Sequence, residues 1–354
     1  MTDRYAADAL VAYAEALFAA AGLEAEKAAL VAPLMVEADL MGHTTHGLQL
    51  VPPYLAALAD GSMTASGHPD VLSDRGPVVA WDGRRLSGVW LTATAVDLAV
   101  ERARQYGTCT VSIRRAHHIA CLAAFLERAT SHGMMITLTC SDPSVASVAP
   151  YGGTRAVYTP DPLAVGIPTS GDPILVDISA SITTNGLTGR LYKEGRTLDH
   201  DWLIDAAGHP SRDPAVLFTD PPGTILPVGG LDHGHKGYGL ALTVEALTQA
   251  LAGHGRADPA EGWGAGVWVQ VQDPTAFSGT DAFARQTDTL AELCRSNPPR
   301  PGVEKVRLPG DGAMARKRTA LAEGVELYPG IVDALAEWAG KLDVTPPAPV
   351  SGGH

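Results

Sequence analysis

At 354 residues the chain is long for one compact domain and short for three, and its 45% hydrophobic and 18% charged residues are the composition of a globular protein, which excludes a disordered or fibrous one. Its 26 Lys+Arg against 39 Asp+Glu give a formal net charge of −13, and only 6% of residues are aromatic. Phosphate neutralisation needs a basic face and base stacking needs aromatic platforms, so nucleic acid is excluded as a partner.

The chain opens with acids at Asp3 and Asp8 instead of a long apolar run, as expected of a mature cytoplasmic chain. Residues 4–20 and 24–41 repeat Ala, Leu and Val every three or four positions around Gly22, predicting two helices, and a third helical pattern starts after Gly47. From about 71 strands are expected: 78–83, ending in an Asp-Gly turn, then 108–114 with a period of two. A helix at about 88–106 lies between them; another at about 119–131 precedes a strand at 134–140. Further strands are expected at 163–168, 174–179 and 267–272, with helices at 236–252, 281–296, 314–325 and 328–342. The stretches 134–140 and 239–253 are too short to span a membrane, and Glu245 interrupts the second. These elements predict an α/β protein: residues 71–313 form the α/β domain, 1–70 plus 314–345 a discontinuous helical domain, and 346–354 a loose Pro- and Gly-rich tail. Cys109, Cys121, Cys140 and Cys294 are too scattered for a disulfide framework and read as core thiols of a reducing compartment.

Three stretches carry chemistry. GHKGYGLAL (234–242) is a glycine-rich turn entering a helix with Lys236 in its first turn, where exposed N–H groups, the helix dipole and an ammonium suit a diphosphate; the alternative is that the glycines serve close helix packing. ADLMGHTTHG (38–47) places His43 and His46 in a turn beside Thr44 and Thr45. His46 suits general acid/base work there, and His43 reads as structural. In AHHIACLAAFL (116–126), His117 and His118 follow a strand, at the edge of an α/β sheet where ligands collect. Ser141 and Asp177 to Ser179 end other strands, although Ser141 is also a good helix cap and Asp161 a good turn former. No GxSxG elbow, P-loop or GxGxxG fingerprint is present, and no metal site is expected.

Together with SVASVAPYGG (144–153), DPLAVGIP (161–168), VDISASITTNG (176–186), DWLIDAAGHP (201–210), LPVGG (226–230) and LPGDG (308–312), these motifs occur in an order that resembles the non-Rossmann malate/L-lactate dehydrogenase family, which includes sulfolactate and ureidoglycolate dehydrogenases, diketogulonate reductase and Δ1-piperideine-2-carboxylate reductases. The resemblance runs from about 38 to 312. It implies the sulfolactate dehydrogenase-like fold, with a mixed sheet and a discontinuous helical domain, and a homodimeric oxidoreductase using NAD or NADP. His46 and His118 match histidines assigned acid/base roles in different members; Thr45 replaces the serine before the first, and Leu50 stands where an arginine usually anchors the substrate carboxylate. Ser141, Asp161, Asp177, Ile178, Ser179, His235, Lys236, Gly237 and Gly310 correspond to cofactor contacts. Ala120 replaces a glycine, and Thr159-Pro160-Asp161-Pro162 replaces Gly-Thr-Asn-Pro. The resulting expectation is hydride transfer between nicotinamide and a small 2-oxo or 2-hydroxy acid or related carbonyl. Reduction of a cyclic imino acid is the alternative, and a metal-dependent hydrolase using His43, His46, His233 and His235 a remote one. Arg190 and Arg196 are the cations available to replace an arginine at position 50.

Overall fold

The computed structural model describes residues 3–350, and its elements meet at the chain ends first. Strand β1 (Arg4–Tyr5) leads into α1 (Ala7–Ala20) and α2 (Ala25–Met41), which pack antiparallel across Gly22. Gly42 stops α2 in the left-handed conformation, φ 88°, which suits glycine because it has no Cβ. A short 3-10 turn (Leu48–Leu50) then feeds α3 (Val51–Ala59). Strands β2 (Asp70–Asp74) and β3 (Val78–Asp82) precede α4 (Gly88–Tyr106), capped by the Ser87 hydroxyl and closed by Gly107. After it come β4 (Thr108–Ala116), α5 (Ala123–Thr130), β5 (Met135–Ser141), β6 (Pro162–Ile167), β7 (Ile174–Ser179) and α6 (Asn185–Lys193). The short strands β8 (Leu203–Ile204), β9 (Pro210–Ser211) and β10 (Thr224–Ile225) form a small sheet of their own. The rest is α7 (Gly230–His233), α8 (His235–Glu245), whose last turn widens into a π-turn over Ala246–Ala250, β11 (Ala265–Gln272), α9 (Thr280–Arg295), α10 (Asp311–Glu323), β12 (Val325–Glu326) and α11 (Ile331–Leu342).

The seven-stranded sheet is mixed, in the order β2-β3-β4-β11-β5-β6-β7. Only β3 and β4 run parallel, and α4 is the crossover that a parallel pair requires. Strand β11 enters late in the chain yet lies at the centre; Val267, Val269 and Val271 are fully buried, because α4 and the π-turn both pack on it. One hydrophobic core joins the terminal helices to the sheet, through Leu17, Met35, Leu55, Val111, Leu126 and Val267. A smaller core around Val148, Tyr158, Leu203 and Ile225 supports the three-stranded sheet.

Helix α10 packs on α2, and α11 packs on α3 and α1, while β1 pairs with β12. The Arg316 side chain of α10 donates to the Met41 carbonyl at 2.9 Å, satisfying an orphan acceptor at the end of α2. Helix α5 starts four residues later than 119, because Ala120 at φ 60° breaks the helical path. The expected loose tail is tied at one point, where Val350 N–H donates to Arg4 O at 2.7 Å; residues 351–354 of it lie outside the described residues. No described helix is long and apolar enough to cross a membrane.

Candidate active site

The turn after α2 is built around a buried acid. Asp39 accepts the Leu48 N–H at 2.7 Å, and a Cβ on Gly47 would lie 2.3 Å from its Oδ2, so glycine is what lets the turn close over the carboxylate. Burial pushes Asp39 up to about 7, with the Leu48 hydrogen bond acting the other way. The turn presents His46, whose Nδ1 lies 2.8 Å from Thr45 Oγ1. Burial first, then the charges of His43 and Arg190, lower His46 to about 4, so the imidazole is neutral at pH 7.

His118 reaches the same place from the other side of the fold. Arg115, next to last in β4, and Ala120 beyond the strand are both at positive φ. This irregular segment turns His118 toward α3, where Tyr54 Oη lies 2.7 Å from its Nδ1 and the Ala120 N–H donates to that nitrogen at 3.3 Å. Nδ1 is therefore an acceptor, and the neutral ring carries its proton on Nε2. Trp263 stacks on the imidazole with centroids 4.5 Å apart. The His46 and His118 rings face one another at 6.2 Å and 27°. Burial holds His118 well below the usual histidine range, so both rings are uncharged at neutral pH. His117 points away into the core, fully buried between Tyr54 and Trp263.

The paired ends of β6 and β7 carry Asp161, Asp177, Ile178 and Ser179, with Pro162 opposite Ser179 and Leu163 opposite Ile178. Asp161 is fully buried at φ 47°; Thr159 donates to one of its oxygens at 2.7 Å, and the other, Oδ2, has no hydrogen-bond partner among the described residues. Burial, with Glu245 adding to it, holds this acid well above the ordinary carboxylate range. Asp177 accepts the Ala123 N–H at 3.0 Å, Cys121 Sγ lies 4.0 Å from the same oxygen, and Ser179 Oγ donates to Ser181 O. His43, Cys121 and Asp177 bring potential ligand atoms within 4.8 Å of one another, a grouping different from the four histidines considered on sequence. Ile178 is half-exposed.

Helix α8 begins next to these strand ends. Gly237 N–H donates to Val228 O, Val228 N–H donates to Ala180 O, and a Cβ on Gly237 would lie 2.3 Å from Val228 N. The close-packing alternative therefore accounts for this glycine. His235 and Lys236 are exposed, and Lys236 makes no ion pair among the described residues. Gly310, at φ 95°, sits by the opposite end of β7, where Leu175 N–H donates to Pro309 O. Ser141 is fully buried, donating to Glu245 at 2.6 Å and accepting from Gln249 at 3.1 Å inside a network closed by Arg256. That geometry makes it a scaffold for the β5 end.

Leu50 is half-buried against the core at the start of α3. Arg190 comes to the same turn from α6, donating to Thr44 Oγ1 and Gln49 Oε1, whereas Arg196 is exposed and pairs with Glu194. Sequence reasoning missed Asp39, Tyr54 and Trp263. Only the acid, at the end of the helix feeding the histidine turn, left a local trace.

The model of the malate/L-lactate dehydrogenase family matches residues 5–336. An L-lactate dehydrogenase of Cupriavidus necator is 30% identical over 338 residues, covering 94% of this chain and 95% of the relative. A (2R)-3-sulfolactate dehydrogenase (NADP(+)) of Chromohalobacter salexigens is 30% identical, covering 92% and 95%. The solved Δ1-piperideine-2-carboxylate reductase of Pseudomonas syringae superposes with a TM-score of 0.83 at 27% identity, covering 96% of this chain and all of that one.

Proposed function

The chain belongs to the malate/L-lactate dehydrogenase family and is an oxidoreductase, and from this premise we propose that it interconverts a small 2-oxo acid and its 2-hydroxy acid at the expense of NAD or NADP, with His46 exchanging the proton. The observation that carries this reading is the pair of neutral imidazoles, His46 and His118, facing one another at 6.2 Å from two distant parts of the chain. The nicotinamide, when bound, supplies or accepts the hydride. The residues present suit such a ligand: Asp161 Oδ2 is a buried polar atom without a partner among the described residues, Ile178 offers apolar surface beside it, and Lys236 stands exposed at the positive end of α8.

In the oxidative direction the neutral His46 accepts the hydroxyl proton, a task its lowered pKa permits at any pH above about 4. His118 is fixed by Tyr54 and Ala120 with its Nε2–H free to donate, so it orients the substrate oxygen. The same groups serve a C=N bond, and the similarity to the piperideine-2-carboxylate reductase supports keeping cyclic imino acids in the substrate panel. We also propose a cytoplasmic homodimer: four free cysteines suit a reducing compartment, and exposed Leu231, Leu242 and Leu251 give the α7–α8 region apolar surface.

Absorbance assays with both reduced cofactors, against 2-oxo acids and cyclic imino acids, test the reaction. His46→Ala should lower kcat by about 10²- to 10⁴-fold and leave cofactor affinity unchanged. If that variant turns over normally while His118→Ala is inactive, the proton role passes to His118; oxidation of neither cofactor by the wild type with any substrate refutes the reading.

A further inference from the structure

A cleft of about 490 Å³ opens beside the His46 turn, between α6, α3 and the start of α11. Its wall is apolar, with Leu48, Pro52, Ile331 and Ala334, and Arg190 and Lys193 bring positive charge to it. Arg190 is the group that demands an explanation. One terminal nitrogen donates to Thr44 Oγ1 at 3.1 Å, the other donates to Gln49 Oε1 at 2.5 Å, and the guanidinium carbon lies 3.6 Å from the centre of the Tyr328 ring. Two neutral acceptors and an aromatic face thus hold the fork in one position, and no carboxylate forms an ion pair with it among the described residues. Glu194, the acid of the cleft, is taken by the Tyr328 hydroxyl and Arg196. Asp39, which also feels the Arg190 charge, is buried and hydrogen-bonded to the Leu48 N–H.

The position of this cation relative to His46 follows from helix geometry. Gly186 and Arg190 are four residues apart on α6 and share a face, about 5–6 Å apart. A Cβ on Gly186 would lie 3.3 Å from Thr45 Cβ and 3.7 Å from His46 Cε1. The guanidinium itself is bonded to Thr44, two residues before His46, so cation and imidazole belong to the same turn. A 2-oxo acid carries its carboxylate on the carbon next to the one that is reduced, so a cation bonded to the turn that carries the proton-transfer group is where that carboxylate needs it. Two of the five guanidinium N–H groups are used by Thr44 and Gln49, which leaves three for an incoming anion.

Building on the oxidoreductase reading above, we propose that Arg190 is the substrate carboxylate anchor, doing from α6 what Leu50 cannot do from α3, and that the cleft accepts the rest of the molecule. The substrates are then organic anions with an apolar body larger than that of lactate, held at the carboxylate by Arg190 and along the body by the Leu48, Pro52 and Ile331 wall.

The test compares phenylpyruvate with its methyl ester, which has the same body without the charge. Wild-type protein should prefer the acid by about ten- to a hundredfold in kcat/KM, the range of a charge-assisted contact. In Arg190→Met the acid-to-ester ratio of kcat/KM should fall to about one, and Arg190→Lys should recover part of it. Arg190→Gln keeps a hydrogen-bonding side chain without the charge and serves if the methionine variant does not fold. An acid preference that survives both neutral variants, or a wild type that reduces acid and ester equally well, overturns the anchor and leaves the oxidoreductase reading standing. Failure of the wild type on every 2-oxo acid and imino acid overturns that reading instead.

Discussion

Adjacent histidines with opposite fates allow a sharp test of the burial argument. His117 is fully buried, and neither ring nitrogen has a hydrogen-bond partner among the described residues; its ring meets Tyr54 at 5.5 Å and Trp263 at 5.2 Å, edge to face. Burial, with Arg85 next, lowers it to about 4 from 6.5. Because the folded pKa is the lower one, the unfolded chain binds the proton more tightly, and stability is lost as pH falls through the window from 6.5 to 4. At pH 7.5 the contribution is close to nil; at pH 5 the linkage relation puts it at about 2 kcal/mol. With an unfolding entropy of about 2.1 cal/mol/K per residue over this chain, that is about 3 °C in Tm. His118 adds to the same acid limb, while Asp39, raised by burial, acts with the opposite sign, so only the difference between wild type and variant isolates His117. His117→Phe keeps a planar ring in the site and removes the titration. Differential scanning calorimetry at pH 7.5 and 5 should therefore show a Tm loss about 3 °C smaller in the variant, together with about 1–3 kcal/mol of added stability at pH 7.5 from removing an unsatisfied N–H. An identical Tm loss in the two proteins would refute the reasoning, since His117 would then titrate no differently folded and unfolded.

On the proposed cofactor reading, Lys236→Ala should weaken reduced cofactor about ten- to a hundredfold in a fluorescence titration, because its ammonium would share the diphosphate charge with the start of α8; unchanged affinity in a folded variant removes it from that reading. Burial raises the thiols of Cys109, Cys121 and Cys140, so iodoacetamide at pH 8 should modify Cys294 first by mass spectrometry, and early labelling of Cys121 would show that the segment after β4 opens.

The helices at both ends and six strands of the large sheet were legible because their apolar residues recur at helical or alternating spacing, as in 24–41 and 108–114. Strand β2 was not legible: it is an edge strand with Val71 and Leu72 exposed, so no buried face imposes a pattern. Helix α6 was not either, since Gly186 and Gly189 weaken its intrinsic preference; the Thr184 hydroxyl caps its first turn at Leu187 N, and Thr188 and Leu191 supply its buried face. Arg190 rides on that unread helix, which is why sequence could name it but not place it. Tyr54 and Trp263 lie 64 and 145 positions from His118 along the chain, and only the α3 packing and the turn before β11 bring them to its ring.

The electrostatics of the site follow from which of its groups stay charged. Burial lowers His46 and His118 and raises the nearby Asp39, so each of these groups is pushed toward its uncharged form. Arg190 is the exception close to His46, and its field is one cause of the lowered imidazole pKa. An anion bound to the guanidinium cancels that field, and the proton affinity of His46 rises with it. By linkage, a protonated His46 must hold the anion more tightly in return, because each group stabilises the charged form of the other. If His46 exchanges the proton and Arg190 holds the carboxylate, as proposed, carboxylate binding and proton exchange are coupled through a single side chain, while burial, the largest cause of the lowered imidazole pKa, stays in place.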